Sequence, residues 1–434
     1  MKDFAKSDDP AVQGQLDRLA ALSLPRGRLG LDVIRQLLAR LGDPQKRLPP
    51  VFHVAGTNGK GSTCAFLRAM LEAQGLRVHS ATKPHLVRYN ERIRIAGQLV
   101  SDAELAALLA EVLDAGESGE PLAPSFFEVT TAATFLAFAR HPADACVIEV
   151  GLGGRFDATN VLDRPAACGI ATLGIDHEAF LLTPEDGAPA EPLVRIAFEK
   201  AGIARPGSPL VTQAYQPAME WEIGHRAALA GAPLHMRGHD WWAQLGDAIE
   251  YRDRHGELIL PLPALPGRHQ GDNAALAVAM LRHQHVVAVT PSAMAEGIRS
   301  ARWPARLQRL AAGPLTARAG QREVWLDGGH NEDAGLAIGR HFASRPLHLV
   351  IGMLSNRSPQ TIIAPLEGRL ASLIAVPIES SDSHDLPAFG AGAKWQGSVA
   401  DALAALPDDG LPVLIAGSLY LAGQVLAANE EAPD

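Results

Sequence analysis

Apolar and polar positions alternate along the chain in blocks that read as strand, turn and helix. Val51 to Val54 is a short, strand-length apolar run, and Cys64 to Leu76 is rich in Ala and Leu at helical spacing. Arg77 to Thr82, Ala145 to Val150 and Ala167 to Leu173 read as further strands. Arg92 to Ile95 alternates like a strand leaving a polar loop that contains Pro84. Helical spacing returns at Leu16 to Leu41 (broken by Leu24-Pro-Arg-Gly-Arg28), Ser101 to Leu113, from Ser125 onward, and Leu193 to Ala204. From Pro209 to Pro263 the order is strand, helix (Met219 to Ala230), strand, then a hairpin around His255-Gly256; Thr183 to Pro192 reads as a loop. His269-Gln-Gly-Asp-Asn273 opens a long alanine-rich helix. After Trp303-Pro304, strands at Glu323 to Leu326, Leu347 to Gly352, Leu373 to Val376 and Val413 to Gly417 alternate with helices. The fold class is α/β, with a domain over 1–300, a hinge over 301–306 and a smaller α/β domain over 307–434.

Composition narrows the class. The 434 residues are 47% apolar and 20% charged, with a formal charge of −9, which argues against a nucleic-acid scaffold. Cys64, Cys146 and Cys168 have no metal-site spacing and sit in apolar contexts, as buried free thiols do. The N-terminal residues lack a signal-like apolar core and no apolar run is long enough to span a bilayer. A cytoplasmic protein without nucleic-acid or membrane partners is expected.

Chemistry concentrates where strands end. Gly56-Thr-Asn-Gly-Lys-Gly-Ser-Thr63 follows the first strand and opens a helix. Glycines there admit backbone N–H groups to phosphate oxygens, and Lys60 supplies a cation. Glu149 lies inside an apolar strand, where an unpaired carboxylate would cost several kcal/mol; a Mg²⁺ ion or a salt bridge would compensate it. Gly151-Leu-Gly-Gly-Arg155-Phe-Asp157 follows directly. Asp176-His177, after the next strand, reads as a metal or substrate ligand pair. Arg88, Arg92 and Arg94 concentrate positive charge near the phosphate loop. Ser125 to Glu128 has capping-box spacing, and Phe126 and Phe127 beside it read as core residues. Asp327-Gly-Gly-His330-Asn repeats the polar strand-end theme in the second domain.

The loop Gly56-Thr-Asn-Gly-Lys-Gly-Ser62 resembles that of the Mur-ligase superfamily. Four further runs narrow the resemblance: Pro84-His-Leu with Asn90-Glu-Arg-Ile93, Glu149-Val-Gly-Leu-Gly-Gly-Arg155 with Asp157-Ala-Thr-Asn160, Lys200-Ala-Gly-Ile203, and Trp303-Pro-Ala-Arg-Leu307. Together they resemble the folylpolyglutamate synthase/dihydrofolate synthase family, from about Leu29 to Leu421.

The resemblance implies an N-terminal P-loop ATPase domain and a smaller, Rossmann-like C-terminal domain. It implies a monomer that uses ATP and Mg²⁺, with a monovalent cation as a further candidate, to join L-glutamate to dihydropteroate or reduced folates through an acyl phosphate. It places Gly56, Thr57, Asn58, Gly59, Lys60, Gly61, Ser62, Thr63, Asn273, Arg306, Asp327 and His330 at the nucleotide, and Glu149, His177 and Ser62 at the metal. Phe127, Arg88, Arg155, Asp157 and Asp176 fall to the substrate. Lys60, His177, Arg306 and a carbamylated Lys200 fall to catalysis. Other readings are a P-loop ATPase or nucleotide switch, and another Mur-type ligase. The last is disfavoured because no UDP-binding domain fits before Val51. One departure stands out: Lys83 occupies the place of a family serine that helps hold Mg²⁺. A protonated lysine cannot ligate a metal. It either turns outward, the outcome expected here, or puts its ammonium in the cation position.

Overall fold

The computed structural model describes residues 6–22, 30–175, 178–379 and 382–433. The expected break at Leu24 to Arg28 therefore lies outside the described residues. Contacts divide the chain into two units. One comprises the chain through Lys83, Arg92–Ala264 and Gln270–Ala301; the other comprises Pro84–Glu91, Leu265–His269 and Arg302 onward. Thus a short excursion, Pro84–Glu91, leaves the first unit's sequence to pack with the second. Leu86 and Val87 pack against the core formed by Val350, Ile415 and Leu421.

Among the described residues the first unit is built on an eight-stranded sheet. Its strands are β1 (Val51–Ala55), β2 (Val78–Ala81), β3 (Ile93–Ile95), β4 (Gln98–Leu99), β5 (Ala145–Glu149), β6 (Ala167–Ile170), β7 (Leu210–Thr212) and β8 (Leu234–Met236), ordered β4-β3-β2-β5-β1-β6-β7-β8. From β2 to β8 the pairs are parallel, and β1 and β5 are buried at every position. Central parallel strands covered on both faces require such continuous apolar runs. The helix Lys60–Ala73 follows β1 and Phe126–Arg140 precedes β5. The latter starts with the full capping box: Ser125 N–H donates to Glu128 Oε2 at 2.7 Å and Glu128 N–H to Ser125 Oγ at 3.4 Å.

The hairpin expected around His255-Gly256 is present, with one strand more than the sequence showed. Strands β9 (Trp241–Leu245), β10 (Ile249–Asp253) and β11 (Gly256–Leu260) form an antiparallel sheet ordered β11-β10-β9. Trp241 and Tyr251 are buried on its inner face with stacked rings, while the residues between them in each strand face outward. That alternation is only five residues long in β9, too brief to separate from the preceding turn by pattern alone.

The second unit carries β12 (Gln308–Arg309), β13 (Val324–Asp327), β14 (Leu347–Ile351), β15 (Leu370–Ala375), β16 (Lys394–Trp395) and β17 (Val413–Ala416), ordered β12-β13-β17-β14-β15-β16. All pairs but β12–β13 are parallel. Asp327 ends β13, and Gly417-Ser418 turns from β17 into the helix Leu419–Ala428, capped by Ser418. The three cysteines are buried free thiols. Among the described residues no helix is long and apolar enough to cross a membrane.

Candidate active site

The helix after β1 begins at Lys60, four residues earlier than its apolar spacing showed, because Gly59 turns the backbone at φ +83°. Gly59 is confined twice over: a Cβ there would stand 2.3 Å from Asn273 Oδ1. Asn273 is buried on the helix Arg268–Arg282, its amide donating to Gln270 Oε1. The loop is also tied to the end of β6. Thr57 N–H donates to Thr172 O at 2.8 Å and Thr57 Oγ1 to Gly174 O at 2.8 Å. Lys60 Nζ donates to Gly56 O at 2.9 Å and Thr57 O at 3.1 Å. The result is a preformed turn whose N–H groups belong to a helix N-terminus, where partial positive charge favours an anion. Ser62 and Thr63 in the first helical turn are buried, and Thr63 Oγ1 makes no hydrogen bond among the described residues.

Glu149 is the last residue of β5 and the register partner of Val54 in β1, so the buried carboxylate and the phosphate loop leave the sheet at the same edge. Its Oε2 accepts the backbone N–H of Lys83 at 2.9 Å. Carboxylate and hydroxyl oxygens suit a hard divalent cation, and of the ligands expected from the sequence Glu149 and Ser62 fall within the described residues. Asp176 and His177, the other ligands expected from the sequence, lie outside the described residues. No group of three His, Cys, Asp or Glu side chains is gathered for a metal among the described residues.

Lys83 does not turn outward as expected. Its Nζ is buried, 5.7 Å from the ring centre of Phe127 and 3.1 Å from the position of a Cβ on Gly151. Asp157 Oδ2 lies 3.2 Å from that same position. The physical reason is the anchored main chain: Lys83 N–H is committed to Glu149, and the aliphatic stem then runs inward toward Asp157. Burial alone would push the Asp157 carboxyl up. The Lys83 charge and hydrogen bonds from Thr159 and from the Leu152 amide outweigh it and hold it below the usual carboxylate range.

Two residues expected to touch substrate are occupied otherwise. Asp157 accepts the N–H groups of Gly151 at 3.0 Å, Leu152 at 2.8 Å and Thr159 at 3.0 Å, which sets the shape of the glycine loop after β5. Arg155 spends its guanidinium on carboxylates: Nη1 donates to Glu185 at 3.0 Å and Nη2 to Glu199 at 2.8 Å, with Arg195 joining the same two acids. Its backbone N–H donates to Glu199 O at 2.8 Å, pinning the glycine loop to the helix Pro192–Ala201 that carries buried Lys200. Arg155 and Asp157 thus hold the glycine loop and the helix behind it in place, whatever they meet in a substrate. Phe127 is half-buried beside Lys83, and Arg88 is exposed.

In the second unit Arg306 sits between two strained residues. Ala305 (φ +54°) and Leu307 (φ +45°) are both buried and left-handed, an uncommon conformation for residues with a side chain. Hydrogen bonds hold them there: Gly328 N–H to Ala305 O at 2.9 Å, Ala305 N–H to Gln308 Oε1 at 2.9 Å, and Leu307 N–H to Asp327 Oδ2 at 2.8 Å. Asp327 Oδ1 takes Gly329 N–H at 2.7 Å. Burial, the larger influence, pushes the Asp327 carboxyl up against the opposing pull of Arg306. His330 Nδ1 lies 3.2 Å from Gly328 O. In the excursion, Glu91 accepts three successive amides, Leu86 and Val87 at 2.8 Å and Arg88 at 2.6 Å, so the Asn-Glu-Arg-Ile run carries a loop-closing carboxylate. Sequence reading missed this clamp and the strained hinge. An acid three to five residues after the amides that follow Pro84 was a signal for the first; nothing in Ala-Arg-Leu signals the second.

No protein-family model matches the chain. Over 359 residues it is 35% identical to the dihydrofolate synthase/folylpolyglutamate synthase of Bacillus subtilis (strain 168), covering 78% of each chain. The structure of E. coli FolC in complex with DHPP and ADP superimposes with a TM-score of 0.83 at 31% identity, over 96% of this chain and 97% of that one. The bifunctional folylpolyglutamate synthase/dihydrofolate synthase of Yersinia pestis, complexed with AMPPNP and Mn ion, gives 0.82 at 30% identity over 98% and 99%. A glycine loop at a helix N-terminus, a buried glutamate ending the strand paired with β1 and this extent of likeness agree, and the chain belongs to the folylpolyglutamate synthase/dihydrofolate synthase family of ATP-dependent ligases within the Mur-ligase superfamily.

Proposed function

We propose that this ligase joins L-glutamate both to dihydropteroate and to the γ-carboxylate of reduced folates, and that the residues above divide the work as follows. The observation that carries the reading is the register of β1 with β5, which brings the phosphate loop and Glu149 to one sheet edge. A carboxylate is a poor electrophile. Transfer of the ATP γ-phosphoryl group to its oxygen gives an acyl phosphate, and attack by the glutamate amine then forms the amide and expels phosphate. Such a transfer needs positioning and charge neutralisation more than covalent help.

The amides of Gly59 to Thr63 and the Lys60 ammonium hold the phosphates, with Asn273 behind Gly59 fixing the loop. Arg306, Asp327 and His330 are assigned to the nucleotide on their places in the sequence. A divalent ion, when bound, would neutralise phosphate charge, held by Glu149, Ser62 and, on its place in the sequence, His177. Phe127 offers a ring face to a flat substrate, and exposed Arg88 a cation to an acidic one; Asp176 is assigned to substrate on sequence alone. Lys200 is proposed to carry a carbamate, testable as a ¹³C resonance in protein equilibrated with labelled bicarbonate. A cytoplasmic monomer acting on small molecules completes the reading. The test is ADP release measured with each substrate omitted in turn: dependence on both glutamate and a pteroate-type or folate acid supports it, and turnover indifferent to them points to a plain ATPase.

A further inference from the structure

Lys83 is the feature of this site that the reading above leaves without a task. Its main-chain N–H is committed to Glu149 at 2.9 Å, so the root of the side chain is fixed at the end of β5. Its ammonium is buried, within cation–π range of Phe127 at 5.7 Å, and meets the place of a Gly151 Cβ at 3.1 Å, where Asp157 Oδ2 comes to 3.2 Å. A Cβ at Gly151 would press on both Lys83 and Asp157, which would have to give way slightly. Glu149 and Asp157 are both buried, with 4% and 8% of their surface exposed. Buried carboxylates need a counter-charge.

We infer that the Lys83 ammonium is a resident cation of this active site, a protein-borne counter-ion for the Glu149–Asp157 end of the sheet that takes the place of a bound metal ion. Three N–H donors and no acceptor let it bind carboxylate or phosphate oxygens but never a metal, and its charge repels a dication a few Å away. A neutral residue at 83 would withdraw the charge that faces buried Asp157 from the loop anchored on buried Glu149, leaving carboxylate oxygens of the kind a hard cation takes. The consequence is a count: this enzyme takes one divalent ion fewer than the same site without the lysine. The inference rests on the functional reading only in giving that charge a phosphate to meet.

The test is Mn²⁺ binding followed by electron paramagnetic resonance, with and without ADP, on wild type, Lys83→Ser and Lys83→Arg. The expected result is one additional Mn²⁺ per chain at saturation in Lys83→Ser and the wild-type count in Lys83→Arg. Equal counts in all three proteins would overturn the inference. Should Lys83→Ser fail to fold, Lys83→Gln keeps most of the stem without the charge and is held to the same expectation. Failure of ADP to bind wild type would contradict the nucleotide-site reading, while the counts without ADP still decide the role of Lys83.

Discussion

Asp327 Oδ2 accepts the backbone N–H of Leu307 at 2.8 Å, and this bond holds the far side of Arg306 in a left-handed turn. Left-handed residues with side chains cost about 1–3 kcal/mol each and persist only where their surroundings insist. Asp327 is the buried side chain that insists, since its second oxygen takes Gly329 N–H. Asp327→Ala should orphan both amides and lower stability by about 2–5 kcal/mol. The backbone on which Arg306 sits would relax, and on the proposed assignment of Arg306 to the nucleotide the KM for ATP should rise with it. Unchanged ATP kinetics in a folded Asp327→Ala protein would separate the turn from nucleotide binding.

Gly59→Ala should be more damaging than an alanine in a helix turn. The new Cβ would stand 2.3 Å from Asn273 Oδ1, and φ +83° would add about 1–2 kcal/mol of strain. ADP affinity, measured by calorimetry, is expected to fall at least tenfold, roughly 1.4 kcal/mol. Adding Asn273→Ala removes the collision but not the strain, so only partial recovery is expected.

Lys60→Ala should remove turnover while leaving the thermal unfolding temperature within a few degrees of wild type. Among the described residues Lys60 bonds to carbonyls of its own loop and fills no core. A variant keeping most of its activity would take Lys60 out of phosphate chemistry.

Acid should weaken the first unit through its buried histidines. His283 is pulled down to about 4, first by burial and then by His235, against the pull of Asp253; Arg254 and His255 add to the lowering. Its ring stacks on His235 at 4.1 Å. The unfolded state then binds more protons than the native state between the ordinary histidine value and about 4. Stability is full above roughly pH 6.5 and is lost as pH falls toward 4, by up to about 3 kcal/mol from His283. Urea midpoints from pH 7.5 to 4.5 check this, and a flatter slope is expected in His283→Phe.

The strand-end chemistry was legible in the sequence because continuous apolar runs and glycines state it locally. Val51–Ala55, Ala145–Glu149 and the Ser125–Glu128 box needed no tertiary information. What escaped depends on side-chain direction. Lys83 reads as a surface residue in a polar loop, and only its amide bond to Glu149 sends the ammonium inward. Arg155 and Asp157 lie in a glycine-rich stretch that reads as ligand-facing. Their partners, Glu185 and Glu199 for the one and the amides of Gly151 and Leu152 for the other, include acids 30 and 44 residues distant. Trp241–Leu245 was missed because five alternating residues after a turn are too few to announce a strand.

The central claim is that ATP activates a carboxylate as an acyl phosphate before glutamate attacks. It is tested most directly with dihydropteroate labelled with ¹⁸O in its carboxylate, incubated with ATP, Mg²⁺ and L-glutamate. Mass spectrometry of the products should find the glutamate amide and inorganic phosphate carrying one ¹⁸O, because the carboxylate oxygen leaves with the phosphoryl group. Unlabelled phosphate released without amide product would contradict the claim.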